Sequence, residues 1–157
     1  WNNAKIFESC EDKPIYVTNY KLSQNADLSY DELAAELIDY IDYGATLCDA
    51  PGDMFFKAED ELTDDKDAIN KQKELIGRIH AKGAEVVMSS HVNKYKTAER
   101  VLQIAFEHKR RGADILKIVA HANNMEEQLE NLKITDLLRK ELGIPFFVFE
   151  RWRMSYS

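Results

Sequence analysis

The feature of the sequence that most constrains its fold is an alternation of short apolar runs with longer amphipathic segments. The apolar runs have the β-branched and aromatic residues typical of strands, and they cover residues 13–19, 45–50, 84–90, 113–120 and 144–149. The amphipathic segments have the periodicity of helices, and they cover residues 30–43, 64–82, 97–111 and 125–142. Strands joined by helices of about a dozen residues or more pair in parallel. The sequence therefore predicts an α/β fold with a parallel sheet, and the periodicity leaves open whether that sheet is closed.

Local signals support these segment boundaries. Ser29 followed three residues later by Glu32 is a capping box at a helix start, and Gly83, Gly112 and Gly143 each end a helix directly before a strand. The apolar residues that this pattern turns towards the sheet are Leu33, Leu37, Ile38, Ile41, Ile69, Ile76, Ile79, Val101, Leu102, Ala105 and Phe106.

Composition excludes several classes of protein. The 157 residues carry 28 acidic and 21 basic side chains, and this negative balance argues against nucleic acid as a partner because phosphate binding needs a basic face. No apolar run approaches the roughly 18 residues of a membrane span. Two cysteines, Cys10 and Cys48, are too few for a disulfide scaffold. We therefore expect a cytoplasmic protein with one domain, which binds neither nucleic acid nor a membrane.

Two residues interrupt strands where function is commonly found. His91 directly follows the run 84–90, and Lys117 lies inside the run 113–120. The carboxyl ends of parallel strands face the ligand site, so neighbouring strands would place both residues on one rim. Burial favours loss of the lysine proton, and a free amine attacks carbonyl groups to form a Schiff base. The pair therefore indicates a nucleophilic amine beside a general acid/base.

Plainer interpretations stay open for these side chains. A histidine at a strand end is more often a capping or core residue, and a lone lysine in a strand more often lies on an edge with its tail in water. His121 lies at the predicted end of the Lys117 strand and either lines the same rim or belongs to a solvated loop. The acidic run 59–67 is interpreted as a solvated loop that caps the next helix. No histidine or cysteine has metal-ligand spacing, so we predict no metal site.

The segments around His91 and Lys117 carry a resemblance to a known family. Val86-Val87-Met88-Ser89-Ser90-His91 and Gly112-Ala113-Asp114-Ile115-Leu116-Lys117-Ile118 resemble type I 3-dehydroquinate dehydratases, in which a Met-Ser-x-His strand precedes a Gly-Ala-Asp-Ile-x-Lys-Ile strand. The resemblance implies a (β/α)8 barrel of the TIM type and a lyase of the shikimate pathway that needs no metal or organic cofactor. It implies that Lys117 forms an imine with the substrate ketone and that His91 is the general acid/base.

Other positions depart from the family pattern. Tyr20 stands where the family has an arginine for the substrate carboxylate, and Lys21 is the nearest cation. Asp49 is kept, but Pro51 replaces an acidic residue, for which Asp53 is the nearest substitute. The segment 149–153 replaces a Ser-Met-Gly stretch, and Arg151 or Arg153 could supply a cation there. The candidate substrate-binding residues are Tyr20, Lys21, Asp49, Ser89, His121 and Arg151.

The chain is shorter than the complete barrel that the resemblance implies. A complete barrel takes about 250 residues, whereas this chain has 157 residues, begins with Trp1 and has five predicted strands. We therefore expect residues 1–157 to form one incomplete barrel domain with the second to sixth strands, closed by a second copy or another chain segment. The expected partner is a small hydroxy-ketone acid. The alternatives are an inactive or substrate-shifted ligand-binding relative and a class I aldolase.

Overall fold

The computed structural model describes residues 3–10, 13–92 and 94–152, and for residues 3, 4 and 150–152 it describes the backbone alone. Helices and strands alternate along most of this part of the chain. The helices are α1 (Asn3–Glu8), α2 (Tyr30–Asp42), α3 (Lys66–Ala81), α4 (Ala98–Arg111) and α5 (Met125–Glu141). The strands are β1 (Tyr16–Val17), β2 (Leu47–Asp49), β3 (Glu85–His91), β4 (Ile115–Ala122) and β5 (Phe146–Trp152).

The five strands form one sheet in the order β1-β2-β3-β4-β5, and each neighbouring pair is parallel. Each strand thus lies beside its predecessor, and the order never reverses as it does in a doubly wound sheet. Successive right-handed crossovers in one direction place the helices on one face of the sheet. This is the strand order of a β/α barrel, and the predicted parallel α/β fold is confirmed.

The two faces of the sheet have different neighbours, as β4 shows. Leu116, Ile118 and Ala122 are fully buried in the helix layer, whereas Lys117 and His121 alternate with them and are partly exposed. Successive side chains of a strand point to opposite faces. We call the face that carries Lys117 the open face, because it lies opposite the helices.

Most of the predicted helix-facing residues are buried in the core, but α4 differs from its prediction. Phe106 is 40% exposed, and Ile104 is fully buried in its place. Ile104 lies three residues after Val101 and so shares its helix face. Two further differences concern elements. The strand predicted over residues 13–19 is ordered as a strand only at Tyr16–Val17, and α1 was not predicted.

The helix termini follow the predicted local chemistry. The Ser29 side chain accepts the backbone N–H of Glu32, whose own carboxylate accepts the N–H of Ser29. Gly112 adopts a left-handed conformation with φ of 109° at the end of α4, which a residue with a Cβ rarely adopts. Among the described residues, no helix is long and apolar enough to span a bilayer.

One buried histidine should make stability depend on pH. His108 in α4 is fully buried, and its Nε2 lies 2.9 Å from the Ser90 hydroxyl. Burial, together with the nearby Arg111 guanidinium, lowers the pKa of His108 from 6.5 to about 3. The unfolded chain therefore binds this proton more tightly, and stability should fall as pH drops from about 6.5 towards 3, by up to about 1.4 kcal/mol per pH unit.

Denaturant unfolding at several pH values tests this expectation. The His108→Gln variant should have a lower free energy of unfolding at neutral pH and a flatter dependence on pH below 6.5. Equal slopes for the two proteins in that range would contradict the assignment.

Candidate active site

Polar side chains gather on the open face of the three central strands. Asp49 ends β2, Ser89 and His91 lie near the end of β3, and Lys117 lies in β4. The register pairs Ser89 with Lys117, so the two residues lie side by side on this face. Strands about 4.8 Å apart with a rise of about 3.3 Å per residue place the Cα atoms of His91 and Lys117 about 8 Å apart.

Asp49 is the centre of a hydrogen-bond network. Its side chain is fully buried, and Oδ1 accepts the Ser89 hydroxyl at 2.6 Å. Oδ2 accepts the Tyr16 hydroxyl and, at 2.5 Å, the Tyr20 hydroxyl. Lys117 Nζ lies 3.4 Å from the same oxygen. A buried carboxylate needs such donors to offset lost hydration, and this network supplies them beside the lysine.

The two tyrosines are held as neutral phenols. Burial, followed by the adjacent charge of Asp49, raises the pKa of Tyr16 and Tyr20 well above the ordinary tyrosine range. Each hydroxyl therefore keeps its proton near neutral pH and can donate it to Asp49.

Lys117 occupies an interior strand and not an edge. β4 pairs with β3 on one side and β5 on the other, and the Lys117 side chain is 18% exposed. Its Nζ donates to the Tyr20 hydroxyl at 3.1 Å and lies 5.6 Å from the centre of the Tyr20 ring. The interpretation of Lys117 as an edge lysine with a solvated tail is therefore wrong.

His91 is oriented by a carboxylate from another part of the chain. Its Nδ1 lies 2.7 Å from Glu61 Oε2, and its backbone N–H donates to the same oxygen at 2.8 Å. Burial opposes ionisation of Glu61, but the hydrogen bonds from His91 outweigh it and lower the pKa of Glu61. An ionised carboxylate only accepts, so Nδ1 carries the proton and Nε2 of neutral His91 has the free lone pair.

The segment that carries Glu61 is fixed by buried contacts. Gly52 N–H donates to the Ser89 carbonyl, and Arg111, which is 4% exposed, donates to the carbonyls of Gly52 and Thr63. The Ser90 hydroxyl donates to the Glu61 carbonyl at 2.8 Å. A Cβ at Gly52 would lie 2.4 Å from that carbonyl oxygen, so the approach requires glycine.

Glu61 is the functional candidate that the sequence did not reveal. The prediction that the acidic run 59–67 is a solvated loop is wrong for Glu61, which binds His91, and for Asp60, which is 8% exposed. The capping part is confirmed, because the Asp65 side chain accepts the Ala68 N–H at the start of α3. The place of the acidic run in the chain could have indicated Glu61, because a loop that follows β2 lies at the same rim as the end of β3.

The structure brings together some of the predicted substrate-binding residues. Tyr20, Asp49 and Ser89 surround Lys117. His121 lies on the open face four residues after Lys117, with Nε2 3.1 Å from Asn123 Oδ1. The binding roles of these residues stay predictions.

Lys21 and Asp53 have other partners among the described residues. Lys21 Nζ donates to the Leu28 carbonyl at 2.7 Å and lies 5.1 Å from the centre of the Tyr30 ring. Asp53 is also directed elsewhere, because its carboxylate binds Lys57 and the Ala58 N–H. Arg151 pairs with His121 in the strand register, and its side chain lies outside the described part of the structure, as does all of Arg153.

The open face also has an apolar part. A cavity of about 400 Å³ reaches Lys117 and is otherwise lined by Tyr16, Leu47, Val87, Phe147 and Phe149. Lys117 thus stands between this cavity and the polar network. Among the described residues, no group of three or more His, Cys, Asp or Glu side chains could hold a metal ion.

Fold and site together define a β/α-repeat protein whose open face carries a carboxylate, a histidine and a lysine on three neighbouring parallel strands. The family model of type I 3-dehydroquinase matches residues 17–149. The chain therefore belongs to the type I 3-dehydroquinase family, as the resemblance of the His91 and Lys117 segments predicted.

Solved structures share this fold. The type I 3-dehydroquinate dehydratase of Clostridium difficile, solved with covalently modified comenic acid, matches with a TM-score of 0.76 and 20% identity, over 94% of this chain and 55% of that one. The 3-dehydroquinate dehydratase of Geobacillus kaustophilus matches with a TM-score of 0.75 and 20% identity, over 93% and 53%. This chain thus spans about half the length of these neighbours. The comparison with curated proteins gives no significant match.

Proposed function

We propose that this chain carries the reacting centre of a lyase that dehydrates 3-dehydroquinate to 3-dehydroshikimate. The observation that carries the proposal is the placement of Lys117 and His91 on the same face of adjacent strands, with a carboxylate on Nδ1 of the histidine. Membership of the type I 3-dehydroquinase family supports the choice of substrate.

The proposed reaction begins at Lys117. The neutral amine attacks the substrate ketone, water leaves, and the resulting iminium withdraws electrons from the adjacent carbon. His91 Nε2 removes a proton from that carbon, and the carbon–oxygen bond at the next carbon breaks. His91 then returns the proton to the leaving hydroxide, which departs as water. Hydrolysis of the iminium releases the enone and restores the lysine.

Glu61 supports the histidine in this scheme. Its carboxylate holds the ring through Nδ1 at 2.7 Å and stabilises the imidazolium that forms when Nε2 takes the proton. Tyr20 also packs edge-on against the His91 ring, with the ring centres 5.7 Å apart.

We propose that residues 1–157 form one barrel domain completed by a second copy or another segment, since β1 and β5 each pair on one side among the described residues.

A substrate-shifted or ligand-binding relative is the second candidate. It is favoured by Tyr20, which stands where the resemblance implies an arginine and whose hydroxyl is engaged by Asp49 and Lys117. A hydroxyl cannot replace a guanidinium in bidentate recognition of a carboxylate.

Incubation of the purified chain with 3-dehydroquinate separates the candidates. The proposal expects growth of the ultraviolet absorbance of the enone and, after borohydride reduction, an adduct on Lys117 detected by peptide mass spectrometry. An adduct without turnover would support the ligand-binding candidate. If neither the enone absorbance nor the Lys117 adduct is detected, the dehydratase is excluded. Cleavage of a carbon–carbon bond in an offered hydroxy-ketone would indicate an aldolase.

A further inference from the structure

We propose that Tyr20 and Asp49 form a proton relay that discharges Lys117 for imine formation. The Lys117 ammonium gives a proton to the Tyr20 hydroxyl, which passes its own proton to Asp49. The proposal rests on the proposed function, because it concerns the lysine to which that function assigns the imine.

The geometry orders the relay in one direction. Lys117 Nζ donates to the Tyr20 hydroxyl at 3.1 Å, and that hydroxyl lies 2.5 Å from Asp49 Oδ2. A tyrosine hydroxyl has one proton, so donating it to Asp49 leaves the oxygen free to accept from Lys117. The three groups thus form a continuous chain of hydrogen bonds from the amine to the carboxylate.

The surroundings of Lys117 explain why such a relay is needed. An ammonium has no lone pair with which to attack a carbonyl, and the Asp49 carboxylate that can take up its proton lies 3.4 Å away. The Asp49 side chain is fully buried, so it exchanges protons through its hydrogen-bond partners and not directly with bulk water. Transfer within the pair replaces two buried charges with two neutral groups, which reduces the cost of burying charge.

The same groups balance the later proton transfers. The neutral amine forms the N–C bond, and the proton released from nitrogen goes to the former carbonyl oxygen. Asp49 then returns its proton to the carbinolamine hydroxyl, which leaves as water while the N=C bond forms. Lysine begins as a cation and ends as an iminium cation, and Asp49 is a carboxylate before and after.

The relay is separate from the His91 pair. Among the described residues, the hydrogen-bond partners of Lys117 Nζ are Tyr20 and Asp49, whereas the His91 side chain binds Glu61. In the proposed scheme Asp49 takes and returns the protons of the lysine nitrogen, whereas the His91–Glu61 pair transfers the proton of the substrate carbon.

The test measures imine formation at Lys117 with a small probe, glycolaldehyde, and cyanoborohydride, followed by peptide mass spectrometry over a range of pH. Tyr20→Phe and Asp49→Asn should each slow labelling of Lys117 by about 100-fold, as expected for loss of positioned proton transfer. Tyr16→Phe is the matched control, because it removes a hydrogen bond to Asp49 without removing a hydroxyl that accepts from Lys117. It should slow labelling by less than about threefold.

An ion pair without a relay gives the opposite result. If Asp49 only stabilises the ammonium, Asp49→Asn releases the free amine and speeds labelling, and this outcome would overturn the proposal. Thermal unfolding checks each variant, and if Asp49→Asn does not fold, the comparison of Tyr20→Phe with Tyr16→Phe decides, since equal rates contradict the relay. Glycolaldehyde labelling does not require 3-dehydroquinate, so a relay that operates without dehydratase turnover refutes the proposed function alone.

Discussion

Replacing Lys117 with methionine is expected to abolish imine formation and to reduce dehydration of 3-dehydroquinate by about 10⁴-fold or more, because methionine has no nucleophilic nitrogen. The fold should survive, since Asp49 retains hydrogen bonds from Tyr16, Tyr20 and Ser89 when the lysine is removed. Borohydride trapping followed by intact-protein mass measurement, together with the ultraviolet assay, gives both readouts.

The matched control for this variant is Lys133→Met in α5. Lys133 is 71% exposed and pairs with Glu130 on the surface, so its variant should trap substrate like the unmodified chain. If Lys117→Met traps an adduct that adds the same mass as in the unmodified chain, another lysine forms the imine. The assignment of Lys117 would then be wrong.

Replacing His91 with alanine should leave imine formation intact and slow turnover by about 10²- to 10⁴-fold, the usual effect of losing a general acid/base. The imine would then persist, so trapping should yield at least as much adduct as in the unmodified chain while enone appears slowly. Measuring trapped adduct and enone in the same samples separates the loss of proton transfer from a loss of binding.

Glu61→Gln tests the same proton transfer and should have a smaller effect than His91→Ala. The amide oxygen can still accept the Nδ1 proton of His91, but it carries no charge to stabilise the imidazolium, so we expect about a tenfold loss of turnover. His80→Gln controls for general effects, since His80 lies on α3 and binds Asp114. Full turnover in His91→Ala would be incompatible with the proposed role of the histidine.

The strand-borne part of the site could be predicted from the sequence for a physical reason. The order of strands and helices places strand ends at one rim, and the two-residue period of a strand gives each side chain a face. These rules place His91 and Lys117 on neighbouring strands at one rim, whereas the register that sets Ser89 beside Lys117 is known only from the structure. Strand length was less predictable, because β1 is only two residues long although its sequence has strand character over seven.

The loop-borne part could not be predicted in this way. Glu61 lies thirty residues before its partner His91 and adopts a positive φ of 47°, a conformation set by the contacts of its segment. Arg111 and Ser90 hold that segment in place by bonds to its carbonyl oxygens, which are the same in every residue. Only a folded backbone brings such groups together.

The alternation along β4 has a consequence for how this protein tolerates mutation. Leu116 and Ile118 contribute to packing with the helices, while Lys117 between them faces the polar network. Changes at Leu116 and Ile118 therefore act on folding, whereas changes at Lys117 act on the polar network. Substrate preference can thus drift in this strand without loss of the packed core, and a relative that has lost its activity can keep its structure.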